Sequence, residues 1–274
     1  MSIRKMNNFT KITGYTIRDQ MRPKSFYILL GISILFVLMI RGCYNSDYMV
    51  NGKALDSMTV AWHVSRIVFQ IIAAGMFLTA ALLSMRIFSR DHADGSLVLF
   101  LSRPVFRWQY VFGRVIGTWI LCLVFMFILH AAIFLTVWTK TGVMIPGYLT
   151  ASLISSINLL FIIACVCLLS LFMPDFISVM FTMGILFVGF VSDGSHQVIN
   201  SEILKSIIPA VGDAAPALWR ILYPKVFMLQ TYAGVLITES EFNNMGPFHP
   251  VLNLTFFIML LMTLMLIRFN RKEV

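Results

Sequence analysis

The chain has 274 residues, of which 59% are hydrophobic and only 12% charged, and its mean hydropathy is +0.86. A soluble domain carries about 25% charged residues, and one of this size buries too little surface to hide so much apolar side chain. Disorder, collagen and a disulfide-stapled secreted scaffold are excluded, leaving one polytopic membrane domain over residues 1–274. The net charge of +9, from 21 basic and 12 acidic residues, does not indicate nucleic acid as a partner. The basic residues bracket apolar runs and form no aromatic-interleaved patch. Cys122, Cys165 and Cys167 sit inside apolar runs and Cys43 near a surface, with no zinc-type or CxxC spacing.

In chain order, residues 1–24 come first. Ile3, Met6, Phe9, Ile12 and Tyr15 recur every third position, with Arg4, Lys5, Lys11 and Arg18 largely between them. This predicts an amphipathic helix in the cytoplasmic interface; the other reading is an ordinary basic flank. Pro23 marks a turn into the first apolar run, Phe26 to Ile40. That run is not read as a signal peptide, because its basic leader is long and Ala-x-Ala is missing at its end. It is also short against the roughly 20 residues needed to cross a 30 Å core, so flanking residues must complete it. Further spans are predicted from Ile67 to Met85, Val115 to Val137, Leu149 to Met173, Phe176 to Val191 and Val251 to Ile267. Asp175 at bilayer centre would cost at least about 2.5 kcal/mol. Pro174 and Asp175 therefore read as an interfacial turn between two antiparallel helices, in preference to a kinked span with a re-entrant piece.

Six crossings sort the charges. Arg4, Lys5, Lys11, Arg18, Arg22, Lys24, Arg86, Arg90, Arg103, Arg107, Arg114, Arg268, Arg271 and Lys272 fall on one side. Only Arg41, Lys53, Lys140, Lys205, Arg220 and Lys225 fall on the other. The bias predicts both termini in the cytoplasm. The opposite, outer side then holds residues 192–250. Ile199, Ile203, Ile207 and Ile208 line one helical face with Ser201 as its cap, and a second helix begins at Pro216. Val226 to Thr238 is too short to span and suits a segment that dips in and returns, or a surface cap.

Residues 86–110 form the predicted cytoplasmic loop. Asp94 or Ser96 caps a short helix through Leu97 to Leu101, which Arg103 and Pro104 end. Such a helix, held between rigid spans, is suited to dock on another protein; the alternative is that it lies on lipid headgroups. Gly95, Ser96, Leu97, Leu101, Ser102, Pro104, Arg107, Gly113 and Arg114 resemble the signature of ABC-2 type transporter permeases, "GTL…LLSxPxSRxxxxxGK". Arg18-Asp19-Gln20-Met21-Arg22 resembles the family's basic-acidic stretch ahead of the first span. Phe106 departs from the usual Ser, Arg114 from the usual Lys and Asp19 from the usual Glu.

The resemblance implies an all-α polytopic permease: six transmembrane helices, an N-terminal amphipathic interfacial helix, a cytoplasmic coupling helix and an outer re-entrant or amphipathic segment. It implies two copies of an ATP-binding cassette ATPase as partner, coupled through Asp94, Gly95, Ser96, Leu97, Leu101, Ser102, Arg103, Pro104 and Arg107. ATP and Mg would belong to that ATPase, and this chain would hold no cofactor and carry no catalysis. Gly52-Lys53 lacks the upstream spacing of a phosphate-binding loop. A second permease copy or homologue and membrane lipids complete the expected partners, with Arg18, Asp19 and Arg22 in the cytoplasmic leader. Gly31, Gly184 and Gly189, on the dimer-lining spans one and five, would permit close approach of the copies.

Arg66, His130 and Asn158 are the candidate path or vestibule residues. Arg66 either snorkels or attracts an anionic group, and His130 makes either a packing hydrogen bond or a substrate contact. No acidic residue is read mid-span apart from Asp175 at its turn, which argues against a proton- or sodium-driven transporter. One well-placed histidine argues against a haem subunit. The expected function is the transmembrane subunit of an ATP-driven exporter of an amphiphilic or small substrate along a path between two copies. The alternative is a non-transporting membrane anchor that recruits a cytoplasmic partner.

Overall fold

The structure, a computed structural model, describes residues 2–40, 49–50, 53–54, 57–88, 106–142, 144–199, 223–238 and 248–271. Eight helices of more than two residues lie among them: α1 (Ser2–Met21), α2 (Lys24–Ile40), α3 (Ser57–Ser84), α4 (Arg107–Thr141), α5 (Gly147–Leu169), α6 (Asp175–Ile199), α7 (Val226–Thr238) and α8 (Pro250–Arg271). A two-residue ribbon, β1 (Met49–Val50) against β2 (Lys53–Ala54), joins α2 to α3. The amphipathic segment at Ile203–Ile208, the helix expected from Pro216 and Cys43 all lie outside the described residues.

Five helices, α3, α4, α5, α6 and α8, are long and apolar enough to cross a membrane. A sixth crossing arises if α1 and α2, bent by 73° at their break, form one span. The cause of the break is local. Pro23 cannot continue α1, and the carbonyl of Pro23 accepts from Phe26 N–H to start the next helix. With 17 residues, α2 is only about 26 Å long.

Three helices run past their apolar runs. Helix α3 begins ten residues before Ile67, α4 starts at Arg107 rather than Val115, and α6 continues from Val191 to Ile199. Apolar runs mark where lipid begins, whereas backbone hydrogen bonding carries a helix on into polar sequence. Conversely α5 stops at Leu169, short of Met173, where residues 170–173 tighten into a turn before Pro174. Asp175 then opens α6, in the first turn where its charge suits the helix dipole. Thr182 of α6 meets Cys165 of α5 at 3.7 Å, the register of an antiparallel pair. Helix α4 is bounded by chemistry at both ends. The Gln109 side-chain oxygen accepts from Phe106 N–H at 3.3 Å, and Gly142 ends the helix at φ 70°.

The centre of the bundle is α5, whose residues from Leu159 to Leu168 are almost all buried. Helices α4, α3, α7 and α8 surround it. Large apolar side chains on α2, α6 and α8 stay exposed, among them Ile32, Leu35, Phe187 and Phe256, as expected of surfaces bathed in lipid. The 13-residue α7 does not float on the bundle. It is buried at Leu229, Ala233 and Ile237, and its Leu236 carbonyl lies so close to Gly147 that no side chain fits there.

Candidate functional site

The first candidate site is the end of the bundle where α1, the two ends of the 89–105 segment and the end of α8 come together. Asp94, Gly95, Ser96, Leu97, Leu101, Ser102, Arg103 and Pro104 lie outside the described residues. What is described is their footing. Phe88, four residues past the end of α3, and Tyr110, in the first turn of α4, both pack on Phe269 of α8, with ring centroids 5.9 and 5.6 Å away. All three rings are buried. Arg107 adds a guanidinium hydrogen bond to the Asn270 carbonyl at 3.0 Å, and Arg268 sits over the Phe172 ring at 4.7 Å. Both cations thereby serve the C-terminal end of α8, where positive charge is favoured.

Helix α1 is fastened to the same place by shape. Ile12 and Thr16 face Gly113 and Gly117 of α4, where an added Cβ would fall 2.7 Å from Ile12 Cγ2 and 2.8 Å from Thr16 Cβ. Four-residue glycine spacing puts both gaps on one face of α4 and admits α1 at backbone distance. Gln20 then donates to Thr118 Oγ1 at 2.8 Å, and Asp19 faces Arg114 at 3.9 Å. Arg114 is further flanked by the Tyr15 and Tyr110 rings at 5.3 and 5.7 Å. Asp19 and Arg114, from two separate sequence signatures, thus meet in space. Arg18 and Arg22 remain exposed at that end. The apolar spacing of α1 therefore serves protein as well as an interface; Tyr15 is exposed while Ile12 is buried.

The second candidate site surrounds α7. Gln230 is its hub: the side-chain oxygen accepts from Ser155 Oγ at 2.7 Å and from Asn158 Nδ2 at 3.2 Å. Gln70 of α3 donates to the Gln230 carbonyl at 3.3 Å. Asn158 also donates to the Val226 carbonyl at 3.4 Å, and this second acceptor fixes which end of its amide is nitrogen. Asn158 is therefore buried among α5 and α7, where it ties the short helix in place. His130 lies deeper between α3, α4 and α5. It shares a hydrogen bond with Ser152 Oγ at 2.9 Å and stacks on Phe69 at 4.7 Å. Arg66, expected near the end of its span, stands on α3 one residue before the apolar run at Ile67, partly buried, with its Nε 3.6 Å from where a Cβ on Gly234 would stand.

Two features of this region were missed from sequence. Asp193, placed beyond the fifth span, belongs to α6 and pairs with Lys225 at 2.9 Å, both side chains almost wholly buried. The expected end of the fifth span at Val191 is thus corrected, since α6 continues and carries Asp193. Asp193 stands about 27 Å along α6 from Asp175, close to the far edge of a 30 Å core rather than at mid-span. Lys225 precedes the positive end of α7, an unfavourable place for a cation, and Asp193 offsets it. The backbone N–H of Lys225 donates to Asn253 Oδ1 at 3.0 Å, so α6, α7 and α8 meet at one residue. The second correction concerns Gly189, expected to line a contact between copies. Tyr223 of the same chain occupies it, with ring Cε1 2.6 Å from an added Cβ, and donates its hydroxyl to the Ile185 carbonyl. Gly31 and Gly184 do face open space.

Between α3, α6 and α7 lies a groove of about 460 Å³, walled by apolar side chains, with Gln70 and Gln230 as its polar members. Among the described residues, no group of three or more His, Cys, Asp or Glu is arranged to hold a metal ion.

No curated protein matches the chain. The family model described as ABC-2 family transporter protein matches residues 12–274, which takes in α1 from Ile12 onward, every span and the footing of the 89–105 segment. Members of that family are typically non-catalytic membrane subunits that work with an ATP-binding cassette ATPase. The chain belongs to the ABC-2 transporter family, as a multi-pass transmembrane transporter subunit.

Proposed function

We propose that this chain is the permease half of an ATP-driven exporter in a bacterial inner membrane, with both termini in the cytoplasm. Two copies stand side by side with a path between them, and two ATPase subunits press on residues 94–107. The observation that carries this reading is the footing of that segment. Phe88 and Tyr110 close on Phe269, while α1 is seated in the Gly113–Gly117 face of α4. A push between residues 89 and 105 meets a braced base, and a braced base turns local force into tilting of α3 and α4 rather than local bending.

The test replaces Gly95 to Leu101 with a flexible polar linker in a tagged permease co-expressed with its cassette ATPase. Loss of the ATPase from the purified complex is expected. An undiminished complex with undiminished substrate-stimulated ATP hydrolysis refutes the coupling role. Intact-cell labelling gives the topology: a single cysteine placed in residues 94–104 should be inaccessible from outside.

A further inference from the structure

We propose that the groove between α3, α6 and α7 binds an anionic amphiphile, an apolar chain bearing a carboxylate or phosphate, with its head at Arg66 and its chain between α3 and α6. This deepens the transport reading by naming a substrate class, and rests on that reading only for what binding accomplishes.

Three observations converge. First, Arg66 stands on α3 one residue before the apolar run that begins at Ile67, and among the described residues no carboxylate pairs with it. A cation at that boundary attracts an anionic head whose chain continues along the apolar run. Its guanidinium is turned toward α7, beside Gly234, one helical turn outward of Gln70 on the same face of α3. Second, Gln230 is 6% exposed and lines the groove, yet its side-chain nitrogen has no partner. Its oxygen is engaged by Ser155 and Asn158, so the free N–H₂ is a donor awaiting an acceptor. An unsatisfied buried donor is unfavourable, and an oxyanion bonded to it removes that cost. Third, the rest of the groove is apolar. Phe77, Met183, Phe187 and Phe190 form its walls, and its 460 Å³ falls within the range of sites that enclose small ligands. Gln70 and Gln230 in the wall, with Arg66 one helical turn from Gln70 beside Gly234, and aromatic side chains along the rest match a charged head on an apolar chain. A neutral sterol or alkane would leave both polar groups unmet.

The experiment uses the full-length permease alone in phosphatidylcholine discs, without an ATPase. A palmitate analogue bearing a diazirine on its chain is photolysed, and the labelled peptides are mapped by mass spectrometry. Labelling is expected at residues 183–190, displaced by oleate at concentrations about tenfold below those needed of oleyl alcohol, the difference expected for one charge-assisted contact. Arg66→Gln should cut labelling about tenfold while Arg66→Lys keeps most of it. Met183→Trp, which fills the wall and keeps Arg66, should abolish labelling.

Equal competition by oleyl alcohol, or labelling that ignores both Arg66→Gln and Met183→Trp, overturns the proposal. Labelling spread over the lipid-facing side of α2 does so too. Should Arg66→Gln fail to fold, the two competitors on the unaltered protein and the Met183→Trp variant still decide. A permease that passes this test but keeps its ATPase after replacement of Gly95 to Leu101 would leave the site standing and the coupling reading fallen.

Discussion

The two ends of the bundle are held by different means. At the end that carries the 89–105 segment, contact is made by shape: glycines of α4 admit Ile12 and Thr16 of α1, and three aromatic rings interlock under the segment. Around α7 the apolar burial of Leu229, Ala233 and Ile237 is joined by a polar network, namely an ion pair and the hydrogen bonds of Gln230, Asn158 and Asn253. Close packing resists sliding at every displacement, because overlap costs energy as soon as atoms approach. A polar network resists only until its partners exchange. The first arrangement suits a part that must pass motion on, the second a part that must change state.

The strongest test of this contrast is at Lys225. Lys225→Met leaves Asp193 buried without its lysine, and breaking a buried pair costs about 3–5 kcal/mol. Unfolding in detergent can be followed with a thiol-reactive dye, since Cys122, Cys165 and Cys167 are buried. A large drop in midpoint is expected, with most of it recovered in Asp193→Leu/Lys225→Met. A single variant that melts like the parent would remove the pair from the account of α7.

Next comes Gly117→Leu, which drives a side chain into Thr16 and the Thr13 carbonyl. Overpacking of this kind costs about 1–3 kcal/mol. Cross-linking between cysteines placed at Gln20 and Thr118 should be efficient in an otherwise unaltered chain and should lose its yield when Leu stands at 117. Unchanged yield there would mean α1 does not depend on that face.

Smaller again is Ser155→Ala, which removes one of two donors to the Gln230 side-chain oxygen and should cost about 1 kcal/mol or less. A loss as large as that at Lys225 would show that the network acts as one unit rather than bond by bond. Smallest is Arg107→Ala. Its bond to the Asn270 carbonyl is exposed, so the melting midpoint should move by no more than experimental scatter. A clear shift would mean that charge, and not only ring packing, holds the base of the segment.

The spans were readable because runs of apolar residues of the required length have few other uses. Their ends were not, since hydropathy falls at Val191 whereas the helix does not stop until Ile199, carrying Asp193 into the bundle. Gly194 and Ser195 gave no reason to continue the helix, and Lys225 stands 32 residues away, beyond any periodic pattern. The seat of α1 was half legible. An apolar residue at every third position looks the same against lipid as against protein, but Gly113-x-x-x-Gly117 carried the missing half. The brevity of α7 at 13 residues did predict a segment that does not cross. The groove beside it arises from three elements distant in sequence, and no local signal encodes a gap.

The bend of 73° between α1 and α2 has a mechanical meaning once α1 is fixed to α4. The two segments meet at Arg22 and Pro23 like the arms of a crank whose lower arm is keyed to another shaft. Rotation of α4 reaches the foot of α2 through two residues of chain, by a route that bypasses α3 and the ribbon of residues 49–54. Under the proposed coupling, load entering between residues 89 and 105 would therefore divide at its point of entry: the α3 arm would work the wall of the groove, and the α4 arm the first span.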